Sequence, residues 1–93
     1  MAMQEKTYLV LFQIAERANR DNMREGLRSF ESYCPLTNTA WAIVSEKSAA
    51  ELRNQLGKFV VKPDRLYILE LGHSGAWRNA ISEKHSEWLK ANL

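Results

Sequence analysis

The chain has a single cysteine, Cys34, so no disulfide can form within it. The staple of small secreted domains is therefore missing, and a reducing cytoplasm is the expected compartment. No run approaches the roughly 18 to 20 apolar residues of a membrane span. The amino-terminal MAMQEK also lacks the basic-then-apolar layout of a signal peptide, so neither membrane nor export is expected. Charge of one sign is scarce too: thirteen Lys and Arg face eleven Asp and Glu, a net +2 that does not by itself call for a polyanionic partner. Internal repeats, low-complexity tracts and long linkers are absent. At 93 residues the chain is one domain, 1–93. A domain this size buries only about 60 to 65% of the surface its unfolded chain exposes, and oligomerisation is the remaining aid to stability.

What the chain does have is an opening run, Lys6 to Ile14 (KTYLVLFQI), that is β-prone and apolar almost throughout. Gln13 interrupts it at its end. A polar side chain at the mouth of a buried strand is where small α+β domains often carry chemistry, yet an amide cannot ionise and is a poor base and a weak ligand for a hard cation. Beyond a polar stretch, Met23, Leu27 and Phe30 recur at helical spacing. They predict a helix from about Asn19 to Tyr33, capped by Asn19 or Asp21 and stopped by Pro35.

Thr39 to Ser45 (TAWAIVS) reads as a strand with Trp41 and Ile43 on one face and Ala40, Ala42 and Val44 on the other; Cys34 to Asn38 is its partner in a hairpin. Ser48-Ala49-Ala50-Glu51 is a capping box opening a helix through Leu52 and Leu56 to about Phe59, fraying after Gly57. Lys62-Pro63-Asp64 is a turn. It launches Arg65 to Leu71, read as an interior strand, and Gly72 to Gly75 ends it. A last helix carries Trp77, Ile81, Trp88 and Leu89, with Lys84 or His85 on the same side. Strand, helix, hairpin, helix, strand, helix is the order of an α+β, ferredoxin-like βαββαβ sandwich with a C-terminal helix. Its open sheet face needs a cover, either that helix or the sheet of a second copy.

In TYLVLFQI, TAWAIVS, the capped SAAELRNQL, DRLYILEL and the ending SEWLKANL, the chain resembles the small SinR-like proteins. Those in turn resemble the VapD toxins and the small CRISPR-associated protein that partners the spacer integrase. The resemblance spans Thr7 to Leu93 and implies a homodimer with two sheets facing each other. In nuclease members an Asp at the end of the first strand, as in Tyr-Asp-Ile, contributes to a metal site shared across the dimer. The matching tripeptide here is Phe12-Gln13-Ile14. Two facing amides offer a divalent ion no charge neutralisation, so neither metal nor other cofactor is expected and the family's phosphodiesterase chemistry is not.

Four arginines, Arg17, Arg20, Arg24 and Arg28, fall within an arc of about 80° on a helix. Arginine suits phosphate, which makes them candidates for contacting nucleic acid. Glu16, Asp21, Glu25 and Glu31 share the stretch, the pattern of a solvated face laced by ion pairs. His73, in a Gly-flanked turn after a strand, is the better placed of the two histidines for catalysis. His85 lies twelve residues on, and neither forms a zinc-binding spacing with Cys34. Cys34 itself reads as a small buried residue, and the three tryptophans as core or interface anchors, with base stacking by Trp77 beside Arg78 as the alternative. The resulting expectation is a non-catalytic homodimeric module that binds nucleic acid or a protein partner in a defence, toxin–antitoxin or mobile-element setting. Two alternatives stand beside it: a ribonuclease with an altered site using Asp64, Glu70 or His73, and a small-molecule-binding ferredoxin-like dimer.

Overall fold

The computed structural model describes residues 4–93; Met1–Met3, part of the stretch read above for a signal peptide, lie outside them. The elements are β1 (Lys6–Gln13), α1 (Arg17–Arg28), β2 (Ser32–Thr37), β3 (Ala40–Ser45), α2 (Ala49–Leu56) with a 3-10 turn Gly57–Phe59, β4 (Arg65–Glu70) and α3 (Glu83–Asn92). The strands form one antiparallel sheet in the order β2-β3-β1-β4. This is the expected α+β, ferredoxin-like arrangement with a C-terminal helix.

Strand alternation sorts the side chains between two faces. Tyr8, Val10 and Phe12 of β1 and Trp41 and Ile43 of β3 turn toward α1 and α2, where they meet Met23, Leu27, Leu52 and Leu56 in the main core. Burying each such side chain contributes about 2 kcal/mol. Tyr8 keeps its hydroxyl satisfied by donating to the Lys47 carbonyl at 2.7 Å. Gly26 lets α1 approach the 3-10 turn, because a Cβ there would meet the Phe59 ring at 2.9 Å.

Several readings differ from the expectation. Helix α1 begins two residues early, at Arg17, with Glu16 extended before it and making no side-chain cap bond. It also ends at Arg28, not Tyr33. Pairing with β3 claims the chain from Ser32 onward, with Tyr33 opposite Ile43, and that ladder outweighs helical spacing. Pro35 fits because β2 is an edge strand, and the register shifts between Pro35 and Thr37.

Strand β4 is not interior. It pairs with β1 alone, and its burial alternates: Leu66 and Ile68 pack on the core while Arg65, Tyr67 and Leu69 face outward. Trp77 and Ile81 precede the last helix instead of belonging to it. Asn79 has a left-handed backbone (φ 58°), which a helix does not accommodate, and Ser82 caps α3 by accepting the His85 amide.

The capping box stands as read: Ser48 Oγ accepts the Glu51 amide at 3.2 Å, and Glu51 Oε1 accepts the Ser48 amide at 3.1 Å. The turn before β4 also forms, with a cis Lys62–Pro63 bond. Helix α3 covers part of the second sheet face. Leu89 packs with Cys34 and Ala42 in a smaller cluster, Trp88 Nε1 donates to Ser32 Oγ at 2.9 Å, and Thr7 Oγ donates to the Asn92 carbonyl at 3.0 Å. None of the helices among the described residues is long and apolar enough to cross a membrane.

Candidate functional site

Gln13 ends β1 opposite Arg65 and shares the second sheet face with Leu9 and Leu11. Its side chain is exposed, in a shallow groove with Leu11, Thr39, Arg65 and Tyr67. The formal charges nearest it are the guanidinium of Arg65 and, in an adjoining groove, the carboxylate of Asp64, whose two oxygens are engaged by backbone amides.

The other candidates for hydrolysis are committed elsewhere. Asp64 spends both carboxylate oxygens on backbone: Oδ1 accepts the Ala15 amide at 3.1 Å and Oδ2 the Val61 amide at 3.2 Å. It thereby ties the exit of β1 to the turn before β4. Glu70 pairs with Lys6 at 3.4 Å. The ladder sets Glu70 opposite Tyr8 and Arg65 opposite Gln13, so Glu70 and Gln13 stand five ladder positions apart, about 17 Å. His73 is exposed in the segment that follows Glu70. Gln13 and Asp64 thus mark one end of the sheet, and Glu70 and His73 the other. Among the described residues, no three of His, Cys, Asp and Glu gather as a metal-binding group.

The four arginines are engaged as a set. Arg17 and Arg24 flank Asp21 at 4.0 and 3.4 Å, and Arg28 pairs with Glu25 at 2.9 Å. Such exposed pairs contribute little, about 0.5 kcal/mol or less. Their contacts with the backbone do more. Arg20 Nη1 donates to the Ile14 and Ala15 carbonyls at 3.1 and 2.9 Å, fastening α1 to the end of β1. Arg24 donates to the Asn38 carbonyl in the β2–β3 turn at 3.0 and 3.3 Å. Arg28 lies over the Trp41 ring, 5.4 Å from its centroid, and Tyr33 stacks on the same indole at 5.8 Å. The stripe therefore seats α1 on the sheet.

Cys34 is buried, and burial pushes its thiol above the ordinary range, which disfavours the thiolate a nucleophile needs. Trp41 is core, and its Nε1 is buried without a hydrogen-bond partner among the described residues. Trp77 is partly exposed and donates Nε1 to Ser86 Oγ at 3.0 Å, tying the preceding segment to α3.

Two features of the second sheet face remain uncommitted. On the β1–β4 half, Tyr67 and Leu69 are 51% and 49% exposed beside half-buried Leu9 and Leu11. Toward β2, the segment 71–82 crosses the sheet and lines, with α3, a half-open cavity of about 300 Å³. Sequence reasoning missed the cavity, because its walls come from Leu9, Leu36, Trp77 and Leu89, scattered along the whole chain. The exposed pair had a signal: Leu66 and Ile68 alternate with Tyr67 and Leu69, so β4 carries apolar residues on both of its faces.

These elements define a small ferredoxin-like α+β domain whose second sheet face is half covered. No protein-family model, no curated protein and no solved structure matches this chain.

Proposed function

We propose that the protein is a non-catalytic homodimeric module, related to the SinR-like and VapD-type proteins, that joins two copies through the β1–β4 half of its second sheet face. The observation that carries this reading is the pair Tyr67 and Leu69, half exposed beside Leu9 and Leu11 on one flat surface. Exposed apolar surface of this kind marks association sites. The resemblance supports the same arrangement, with two sheets facing each other. The dimer then presents a protein-binding surface in a defence, toxin–antitoxin or mobile-element setting. A protein partner is favoured over nucleic acid because Asp21 and Glu25 share the surface of Arg17, Arg24 and Arg28, and Arg20 and Arg24 donate to backbone carbonyls, so the stripe carries little excess basic charge. A free basic surface is what phosphate recognition needs.

The test is light scattering coupled to size-exclusion chromatography. The native chain is expected at twice its 10.7 kDa mass, and Leu69→Glu at the monomer mass with an unchanged circular dichroism spectrum. A native chain that runs as a monomer at all concentrations overturns the reading. Cleavage of labelled RNA in Mg²⁺, lost on Asp64→Asn, would restore the ribonuclease alternative.

A further inference from the structure

The segment 71–82 leaves β4, crosses the second sheet face without forming helix or strand, and turns into α3 at Ser82. The cavity of about 300 Å³ beneath it is lined largely by apolar side chains, among them Leu9, Leu36, Trp77 and Leu89. At roughly 30 Å³ per water-sized group, it has room for about ten non-hydrogen atoms. Ligand pockets of this kind combine apolar walls with a few convergent polar groups. The polar groups here have one character. No Asp or Glu side chain lines it, whereas those of Arg78 and His85 are among the lining residues, as is Leu93.

Neither of those two is fully committed. Arg78 makes no ion pair among the described residues, unlike the arginines of α1. His85 shares a hydrogen bond through Nδ1 with Ser82 Oγ at 2.6 Å, which fixes the ring and leaves Nε2 without a partner among the described residues. The Trp77 indole is held as a wall by its bond to Ser86 Oγ. The cavity thus pairs a half-open, largely hydrocarbon lining with two basic side chains, Arg78 and His85.

We propose that this cavity binds a small amphipathic carboxylate, its hydrocarbon body against Leu9, Leu36 and Leu89 and its carboxylate met by Arg78 and Nε2 of His85. Guanidinium is the side chain best suited to a carboxylate, through paired charge-assisted bonds. The site adjoins the exposed β1–β4 half and shares Leu9 with it; Arg78 and His85, which would meet the carboxylate, lie outside the proposed dimer contact.

Octanoate, which fits the volume, is the probe, with octylammonium as the control of equal length and opposite charge. Titrated into the full ¹⁵N-labelled chain, octanoate is expected to shift the Trp77 indole resonance and the amides of residues 74–81 saturably. Octylammonium should bind roughly tenfold more weakly, and Arg78→Ala should cost octanoate roughly tenfold while leaving octan-1-ol unaffected. Arg78 is exposed, so this variant is expected to fold; Leu36→Phe, which narrows the cavity, should weaken all three probes. Equal binding of octanoate and octylammonium, or an unchanged octanoate affinity in Arg78→Ala, overturns the proposal. So does the absence of saturable shifts. Shifts of residues 74–81 that follow protein concentration without any probe, and that persist in Leu69→Glu, would place a second copy in the cavity and overturn it as well.

Discussion

On the face of the sheet toward α1 and α2, Tyr8, Val10, Phe12, Trp41 and Ile43 are all 4% exposed or less, whereas on the other face Tyr67 and Leu69 keep about half their surface in water. Both faces are apolar, but only the first is closed by two helices. The second has one helix, α3, over β2 and β3, an irregular arch beside it and, among the described residues, nothing over the outer part of β4. The difference separates residues that hold the domain together from residues available to meet something else.

Substitutions on the two faces should therefore differ in kind. The largest effect is expected from Ile43→Ala, at a fully buried position of the main core, where lost burial and the residual cavity together cost about 3 kcal/mol. Urea denaturation followed by circular dichroism would show it as a lowered midpoint, and a loss under about 1 kcal/mol would contradict the placement of Ile43 at the centre of the core. Leu89→Ala should cost less, about 2 kcal/mol, because the cluster under α3 is small. It should also raise binding of a hydrophobic dye at native temperatures, since loosening α3 bares the second face. If dye binding does not rise, α3 is not the cover described.

The smallest effect is expected at Glu51, whose carboxyl is held below its ordinary value of 4.5 chiefly by the hydrogen bond from the Ser48 backbone and by the Ser48 side chain. A carboxyl lowered in the folded state stabilises above its unfolded pKa, and that contribution is lost as pH falls through the lowered folded value. Glu51→Gln should accordingly be slightly less stable than the native chain at pH 7, with the gap closing as the pH drops below about 4.5. A gap that stays constant from pH 7 to pH 3 would show that the charged capping box contributes nothing.

The features legible in the sequence were those set by neighbours along the chain. The opening strand, the Ser48–Glu51 box and the Pro63 turn each carry their signal within a few residues. Tyr33 was misplaced because helical spacing continued past the point where pairing with Ile43 takes over, and that pairing comes from ten residues downstream. Trp77 and Ile81 kept the helical period, yet the left-handed backbone of Asn79 is a consequence of how the arch lies on the sheet, which no local pattern announces. For the site, the second-face position of Gln13 followed from strand alternation. The commitment of Asp64 to Ala15 and Val61, and the union of Leu9, Leu36 and Leu89 around one cavity, depend on the assembled fold.

The bond from Thr7 Oγ to the Asn92 carbonyl joins positions 85 residues apart. Together with the Leu71 amide, which donates to the Thr7 carbonyl at 2.8 Å, it makes one residue of the first strand an anchor for the latest parts of the fold. On the ribosome, β1 emerges early and its contacts with α1, β3 and α2 can form in turn. Its second face has no helix to meet until synthesis has passed Asn92. During that interval Leu9, Leu11, Cys34, Leu36 and Ala42 stand bare, the kind of surface on which nascent chains stick to one another. The order of synthesis thus leaves the second face of the sheet as the last to be trimmed to its final extent.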